Sequence, residues 1–233
     1  REALAHLLYG VEQGEGFIVI TGEVGTGKTT VCRALIERLG SATDVAFLFN
    51  PSRSAMELLQ SIGEELGLEV DGLTRRELHA QLNQFLLERK AAGRRVLLII
   101  DEAQNLTHST LEQVRLLSNL ETSSEKLIQI LLLGQPELDA KLDSHQLRQL
   151  RQRISVRWML EPLSPRDTRG YVQRRLQVAA GASREVFSAR ALRQVQRYTN
   201  GTPRLINVLC DRAMLLGYAE REQTITARTV KEA

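Results

Sequence analysis

Eight residues, Gly22-Glu23-Val24-Gly25-Thr26-Gly27-Lys28-Thr29, follow the apolar run Phe17-Ile18-Val19-Ile20 and lead into a segment, 29–39, whose apolar residues recur at helical spacing. A short apolar run, a turn with three glycines and an amphipathic segment leave few folds open. The chain must enter a strand, curl tightly, and leave as a helix. The eight residues satisfy G-x-x-x-x-G-K-[ST] in the strand-to-helix context that pattern requires. Glycine lets the backbone turn successive N–H groups toward one point, and the start of the following helix adds its positive end there, so the turn is suited to an anion. In this reading Lys28 reaches the β- and γ-phosphates of a nucleotide and the Thr29 hydroxyl is a magnesium ligand. Gly22, Glu23, Val24, Gly25, Thr26, Gly27, Lys28, Thr29 and Thr30 form the candidate phosphate-binding set. Thr30 also suits an ordinary place on the helix surface.

The rest of the chain extends the same alternation. Apolar runs at 45–49, 96–100 and 127–133 are separated by segments 54–66, 75–91 and 108–120 with apolar residues three and four apart. That is the mark of a parallel sheet with crossover helices, and a stripe such as Leu78, Leu82, Phe85 and Leu86 is the face of a helix packed on it. In 154–160, Ile154, Val156, Trp158 and Leu160 alternate with Ser155, Arg157 and Met159, which predicts a fifth strand with one wetter face near an edge. After Glu161-Pro162-Leu163-Ser164-Pro165 the strand pattern stops, and helical segments follow at 166–179, 188–198 and 203–217. The expected division is an α/β core over 1–161 and a small helical domain over 162–233.

At 233 residues with 42% hydrophobic side chains the chain can bury a sizeable core. Its net charge of +3 is interspersed with glutamates, and aromatics make up only 4%, so neither a basic block nor a stacking surface points to nucleic acid. Cys32 and Cys210 lie far apart in apolar patterns, matching neither zinc-ligand spacing nor a disulfide framework, and a reducing compartment is expected. No run approaches the roughly 20 apolar residues that span a bilayer, and the first ten residues lack the regions of a signal peptide. Arg1 in place of methionine suggests a piece of a longer chain.

The run at 96–100 ends in Asp101-Glu102. A carboxylate at the C-terminal end of a parallel strand lies where open α/β sheets bind ligands, so Asp101 is the candidate partner of Thr29 in holding magnesium. Glu102, one residue on, is a candidate to polarise an attacking water. Acidic residues also begin helices as ordinary caps. The upstream Gly22–Thr29 turn favours the chemical reading here.

With GEVGTGKT and LLIIDEAQ, then LLLGQPEL and finally GTPRLIN in this order, the chain resembles the AAA+ superfamily. More narrowly it resembles the general secretion pathway protein A group (GspA/ExeA type), with relatives from pilus biogenesis and exopolysaccharide loci. The resemblance runs essentially end to end. It implies a P-loop NTPase fold, a three-layer core with a five-stranded parallel sheet and a helical lid. It also implies ATP and Mg2+ as cofactors and slow hydrolysis stimulated by assembly. Gln135 matches the superfamily's polar sensor of the γ-phosphate, a place where asparagine or threonine is commoner; its ordinary role would be to cap the turn before Pro136. Arg153 best matches the arginine that reaches a neighbouring subunit's site, with Arg151 and Arg148 as rivals. Arg204 matches the second sensor arginine in the lid. Thr202-Pro203-Arg204 also places a cation at the positive start of a helix, where a bound polyphosphate would reverse an unfavourable sign. Relatives carry an additional segment, before the residues matching Arg1, that helps cover the adenine.

By the same resemblance the expected partners are further copies of the chain, an inner-membrane secretion protein and, indirectly, a secretin, with peptidoglycan reached only through segments outside this sequence. The expected place is the cytoplasmic face, with a parent anchored in the inner membrane. A DNA-associated ATPase of the transposition or origin-regulator kind shares this core, but no base-reading module is evident. A small-molecule kinase would need a mobile acceptor-binding lid, and the Asp101-Glu102 pair with a distant Arg204 fits hydrolysis better.

Overall fold

A computed structural model describes residues 2–52, 54–121, 126–180 and 185–233. The chain forms two compact units, Arg1–Glu23 with Lys28–Leu160, and Val24–Gly27 with Glu161–Ala233.

The first unit runs α1 (Glu2–Glu12), β1 (Phe17–Gly22), α2 (Lys28–Leu39), β2 (Thr43–Leu48), α3 (Ala55–Glu65), α4 (Arg75–Ala91), β3 (Arg95–Ile100), α5 (His108–Leu117), β4 (Gln129–Gly134), α6 (Pro136–Leu142), α7 (Arg148–Arg151) and β5 (Ile154–Leu160). The five strands form one sheet in the order β2-β3-β4-β1-β5, every neighbouring pair parallel. Side chains alternate across a strand, and here the parity sorts two cores. Phe17, Val19, Leu98, Ile100, Ile130 and Leu132 meet α3, α4 and α5 on one face. Ile18, Ile20, Leu97, Ile99, Leu131 and Leu133 meet α1 and α2 on the other. A sheet buried on both faces explains why its central strands read as unbroken apolar runs. β5 lies at the edge, and its residues alternate between half-buried and exposed as the sequence predicts.

Two departures from the sequence reading have physical causes. The run expected at 45–49 is shifted to Thr43–Leu48, because Thr43 and Asp44 pair with Arg95 and Val96 and the Arg94 guanidinium donates to both oxygens of Asp44 (2.9 and 2.6 Å). Phe49 is left 65% exposed. Helix α1 had no counterpart among the predicted segments, although Leu4, Leu7, Leu8 and Val11 carry helical spacing; they pack under β5, where His6 stacks on Trp158 with ring centroids 4.1 Å apart.

The second unit holds α8 (Pro165–Ala180), α9 (Ala189–Thr199), α10 (Pro203–Ala219) and α11 (Ala227–Glu232) around Val172, Phe187, Val195, Ile206, Cys210, Ile225 and Val230. Ser188 accepts from the Ala191 N–H to start α9, and Thr226 and Thr229 cap α11 reciprocally. Among the described residues no helix is long and apolar enough to cross a membrane.

Candidate functional site

Strand parity sets the geometry of the acidic pair. Leu97 and Ile99 face α1 and α2, so two residues on, Asp101 points to the same side. Its own N–H still donates to the Leu48 carbonyl (2.9 Å), continuing the ladder, and its side chain meets the first turn of α2: the Thr29 hydroxyl donates to Asp101 Oδ2 at 3.0 Å. Asp101 is 1% exposed, and its Oδ1 accepts the Glu102 N–H at 2.9 Å. Residues 72 apart in sequence thus present a hydroxyl and a carboxylate side by side.

Lys28 begins α2 and is 7% exposed. Its ammonium donates to the carbonyls of Gly22 (2.6 Å) and Glu23 (3.1 Å). Burial lowers its pKa from the ordinary lysine value, opposed by the negative charges of Glu102, Asp101, Glu23 and Glu137. A cation stripped of water beside carboxylates, at the start of a twelve-residue helix, is poised for an anion. Thr30 is exposed on the same turn.

After Asp101 the chain turns sharply. Glu102 takes φ 54°, ψ 35°, the left-handed region, and a 3-10 turn follows at Ala103–Asn105. Such a conformation in a glutamate costs on the order of 1 kcal/mol and marks a site held by its surroundings. The Gln104 amide donates to Glu102 Oε2 (2.5 Å), the Gln135 amide donates to the same oxygen (3.2 Å), and the Gln135 N–H donates to Gln104 Oε1 (3.1 Å). Gln135 precedes Pro136 at the start of α6 but makes no side-chain cap bond there. Lys141 of α6 donates to the carbonyls of Gln104 (2.5 Å) and Leu106 (2.7 Å), fastening the turn. The sequence reading missed Gln104 and Lys141. A glutamine two residues past the acidic pair was the available signal; the lysine gave none.

The three candidate arginines differ. Arg153 is half-buried, its guanidinium donating to the Ser118 hydroxyl at 2.6 Å. Arg148 and Arg151 are exposed, Arg148 with His145 at 3.4 Å.

In the second unit, Gly25 and Gly27 have φ of 82° and 101°, which L side chains rarely adopt. The Arg204 N–H, in the first turn of α10, donates to the Gly25 carbonyl (3.2 Å), and a Cβ on Gly25 would come within 2.6 Å of Arg204 Cβ. Thr202, which precedes α10, makes no side-chain cap bond, so the Arg204 side chain stands exposed at an uncapped helix start. Both thiols are buried, and burial pushes Cys32 and Cys210 up to about 12, so neither is a nucleophile.

Among the described residues no cluster of three or more His, Cys, Asp or Glu side chains could hold a metal by itself. The Thr29–Asp101 pair suits magnesium nonetheless, because that ion keeps several waters and takes one or two hard oxygen ligands from protein with the remainder from phosphate.

Comparison with known proteins bears on the family and the fold. The family described as AAA domain matches residues 11–142. General secretion pathway protein A of Aeromonas hydrophila is 47% identical over 227 residues, covering 96% of this chain and 41% of that protein. The chain therefore spans less than half the length of that curated relative. Among solved structures, the Aeropyrum pernix ORC2 protein in ADPNP-ADP complexes has a TM-score of 0.71 at 19% identity, over 99% of this chain and 65% of that one. Cdc6p from Pyrobaculum aerophilum has 0.70 at 20%, over 96% and 63%. The RuvB Holliday junction branch migration motor of Thermotoga maritima has 0.62 at 16%, over 100% and 67%. At such identities the likeness is one of fold. With a five-stranded parallel P-loop sheet, C-terminal helices and a family match over more than half of its length, this chain belongs to the AAA domain family.

Proposed function

We propose that the chain binds and hydrolyses ATP and acts as an assembly motor or switch for a bacterial envelope secretion (type II) or pilus system. The observation that carries the chemistry is the meeting of Thr29 and Asp101 beside the buried Lys28 ammonium. The secretion role rests on the 47% identity to a protein named for that pathway.

Lys28 would give up the Gly22 and Glu23 carbonyls and hold the β- and γ-phosphate oxygens, cradled by the N–H groups of Gly22–Thr29. The Thr29 hydroxyl and the Asp101 carboxylate would hold Mg2+. When bound, that ion neutralises phosphate charge and polarises the phosphoryl oxygens. Glu102 would orient water and take its proton, and Gln135 and Arg204 would each serve as a sensor of the γ-phosphate. Of the arginines, Arg148 and Arg151 are exposed, Arg148 with a long contact to His145, whereas Arg153 must first leave Ser118 to reach a neighbouring copy. Hydrolysis would then be slow in isolated copies and faster in a homo-oligomer. The core over 1–161 would carry the nucleotide, the helices over 162–233 would act as its lid, and the chain would work at the cytoplasmic face beside an inner-membrane partner.

Radiolabelled ATP binding and turnover test this. Lys28→Ala should abolish saturable uptake, and Glu102→Gln should retain ATP while losing turnover. Uptake undiminished by Lys28→Ala, or turnover untouched by Glu102→Gln, would refute the respective assignments.

A further inference from the structure

Glu102 does not stand alone at its site. One of its oxygens, Oε2, accepts from the carboxamides of both Gln104 and Gln135, while among the described residues no donor reaches Oε1. The orientation of the Gln104 amide is unambiguous: its Oε1 accepts from the Gln135 backbone N–H, which can only donate, so its Nε2 is the atom left to face a carboxylate, which can only accept. Gln104 therefore bridges the carboxylate and the chain at the end of β4.

The surroundings maintain this bridge. Gly134 lets the end of β4 approach: a Cβ there would lie 3.1 Å from Gln104 Oε1 and 2.6 Å from Leu138 Cδ2. Lys141 holds the backbone of Gln104 through its carbonyl, so the side chain extends from a fixed point. Glu102 itself sits in a strained left-handed conformation that these contacts sustain.

We propose that Gln104 is a positioning residue for hydrolysis: it tethers Glu102 by Oε2, leaves Oε1 as the oxygen that faces water, and transmits any movement of Gln135 to that carboxylate. This rests on Glu102 being the group that activates water. A sensor that turns from Glu102 toward a γ-phosphate oxygen gives up one of the two donors on Oε2, and the Gln104 amide then decides whether the carboxylate follows or stays. Gln104 never meets the nucleotide in this scheme. Its effect falls on the rate of the chemical step and leaves ground-state binding intact.

Gln104→Met keeps the length of the side chain and removes both its donor and its acceptor. Gln104→Glu keeps an acceptor for the Gln135 N–H but sets an anion against Glu102. Turnover at saturating ATP should fall about 10- to 100-fold in both, the scale for a reacting group displaced by about 1 Å, with ATP affinity within about threefold and a thermal midpoint lowered by only about 2–4 °C for each hydrogen bond lost. Gln104→Met with Gln135→Met should be little worse than the more damaging single change, since both act on one oxygen. Turnover within threefold of wild type in Gln104→Met would overturn the proposal, as would recovery in Gln104→Glu or fully multiplicative losses in the double variant. Should Gln104→Met not fold, Gln135→Met with Gln104→Glu decides by the same criteria. Glu102→Gln is run alongside. If it too retains turnover, the assignment of Glu102 fails; if it is inactive while Gln104→Met is not, only the tether fails.

Discussion

Lys28→Met separates two effects that the structure superimposes on one ammonium. This cation is 7% exposed and donates to the carbonyls of Gly22 and Glu23, with its pKa lowered by burial. A lysine whose folded pKa lies below its unfolded value of 10.5 binds fewer protons in the native state over that window. Stability then rises as pH climbs from the folded value toward 10.5 and is lower below it. The charged lysine thus opposes folding near neutrality until an anion meets it. At 100 times its dissociation constant, a nucleotide stabilises the native state by about 2.7 kcal/mol, or roughly 5–10 °C in midpoint for a chain of this size. Losing a charge-assisted contact to phosphate costs about 1.5–3 kcal/mol. Near the top of that range affinity falls about a hundredfold, and the same nucleotide concentration then yields about 0.4 kcal/mol, close to 1 °C. Differential scanning fluorimetry with and without Mg-ATP, from pH 7 to 10.5, reads both effects. The variant should lose most of the nucleotide shift. Because the buried Cys32 and Cys210 thiols, pushed up to about 12, lower the stability of both proteins above about pH 9, the lysine is read as a difference: the ligand-free midpoint advantage of the variant over wild type should shrink as pH rises toward 10.5. A full nucleotide shift in Lys28→Met, or a ligand-free midpoint difference between variant and wild type that stays constant from pH 7 to 10.5, would refute the reasoning.

Gly134→Ala should lower stability by about 1–3 kcal/mol, because its methyl would overlap Leu138 and press on Gln104, and turnover should fall with it; chemical denaturation and a phosphate-release assay measure the two. Arg153→Ala should lower the thermal midpoint by breaking its bond to the Ser118 hydroxyl. Arg148→Ala and Arg151→Ala should leave the midpoint unchanged, and whichever supplies a neighbour's site should remove the concentration-dependent part of turnover. Asp44→Asn should cost under about 1 kcal/mol at neutral pH. Because the Arg94 guanidinium holds the Asp44 carboxyl below the usual carboxylate range, that contribution is present above pH 4 and lost as pH falls through the folded value, so an acid titration of the variant should be flatter.

The sequence pattern reveals the sheet because its central strands are covered on both faces: Leu97, Leu98 and Ile99 of β3 are wholly buried, and an unbroken apolar run has no other ready explanation. Asp101 and Lys28 were legible for the same reason, each standing at a fixed offset from such a run. Register at the edge was not legible. What sets the start of β2 at Thr43 is its pairing with Arg95 and the Asp44–Arg94 contact, both made across 50 residues or more of sequence. Helix α1 was overlooked although its spacing was present, because eleven residues with no cap signal carry little weight until Trp158 and β5 are there to receive them.

The site shows the same limit more sharply. Local motifs name the groups that touch substrate, since backbone geometry requires them at fixed spacing, but the groups that orient those groups answer to tertiary distance alone. Gln104 reaches Gln135 across 31 residues and Lys141 reaches Gln104 across 37. No periodicity joins them; what joins them is that β3 and β4, consecutive parallel strands, lie side by side in the sheet. The end of β3 delivers Glu102 and the end of β4 delivers Gln135, so any side chain in the turn after β3 that spans the gap between adjacent strands, roughly 4.8 Å, can couple the two. A carboxamide on Gln104 has that reach, while the side chain of Ala103 does not.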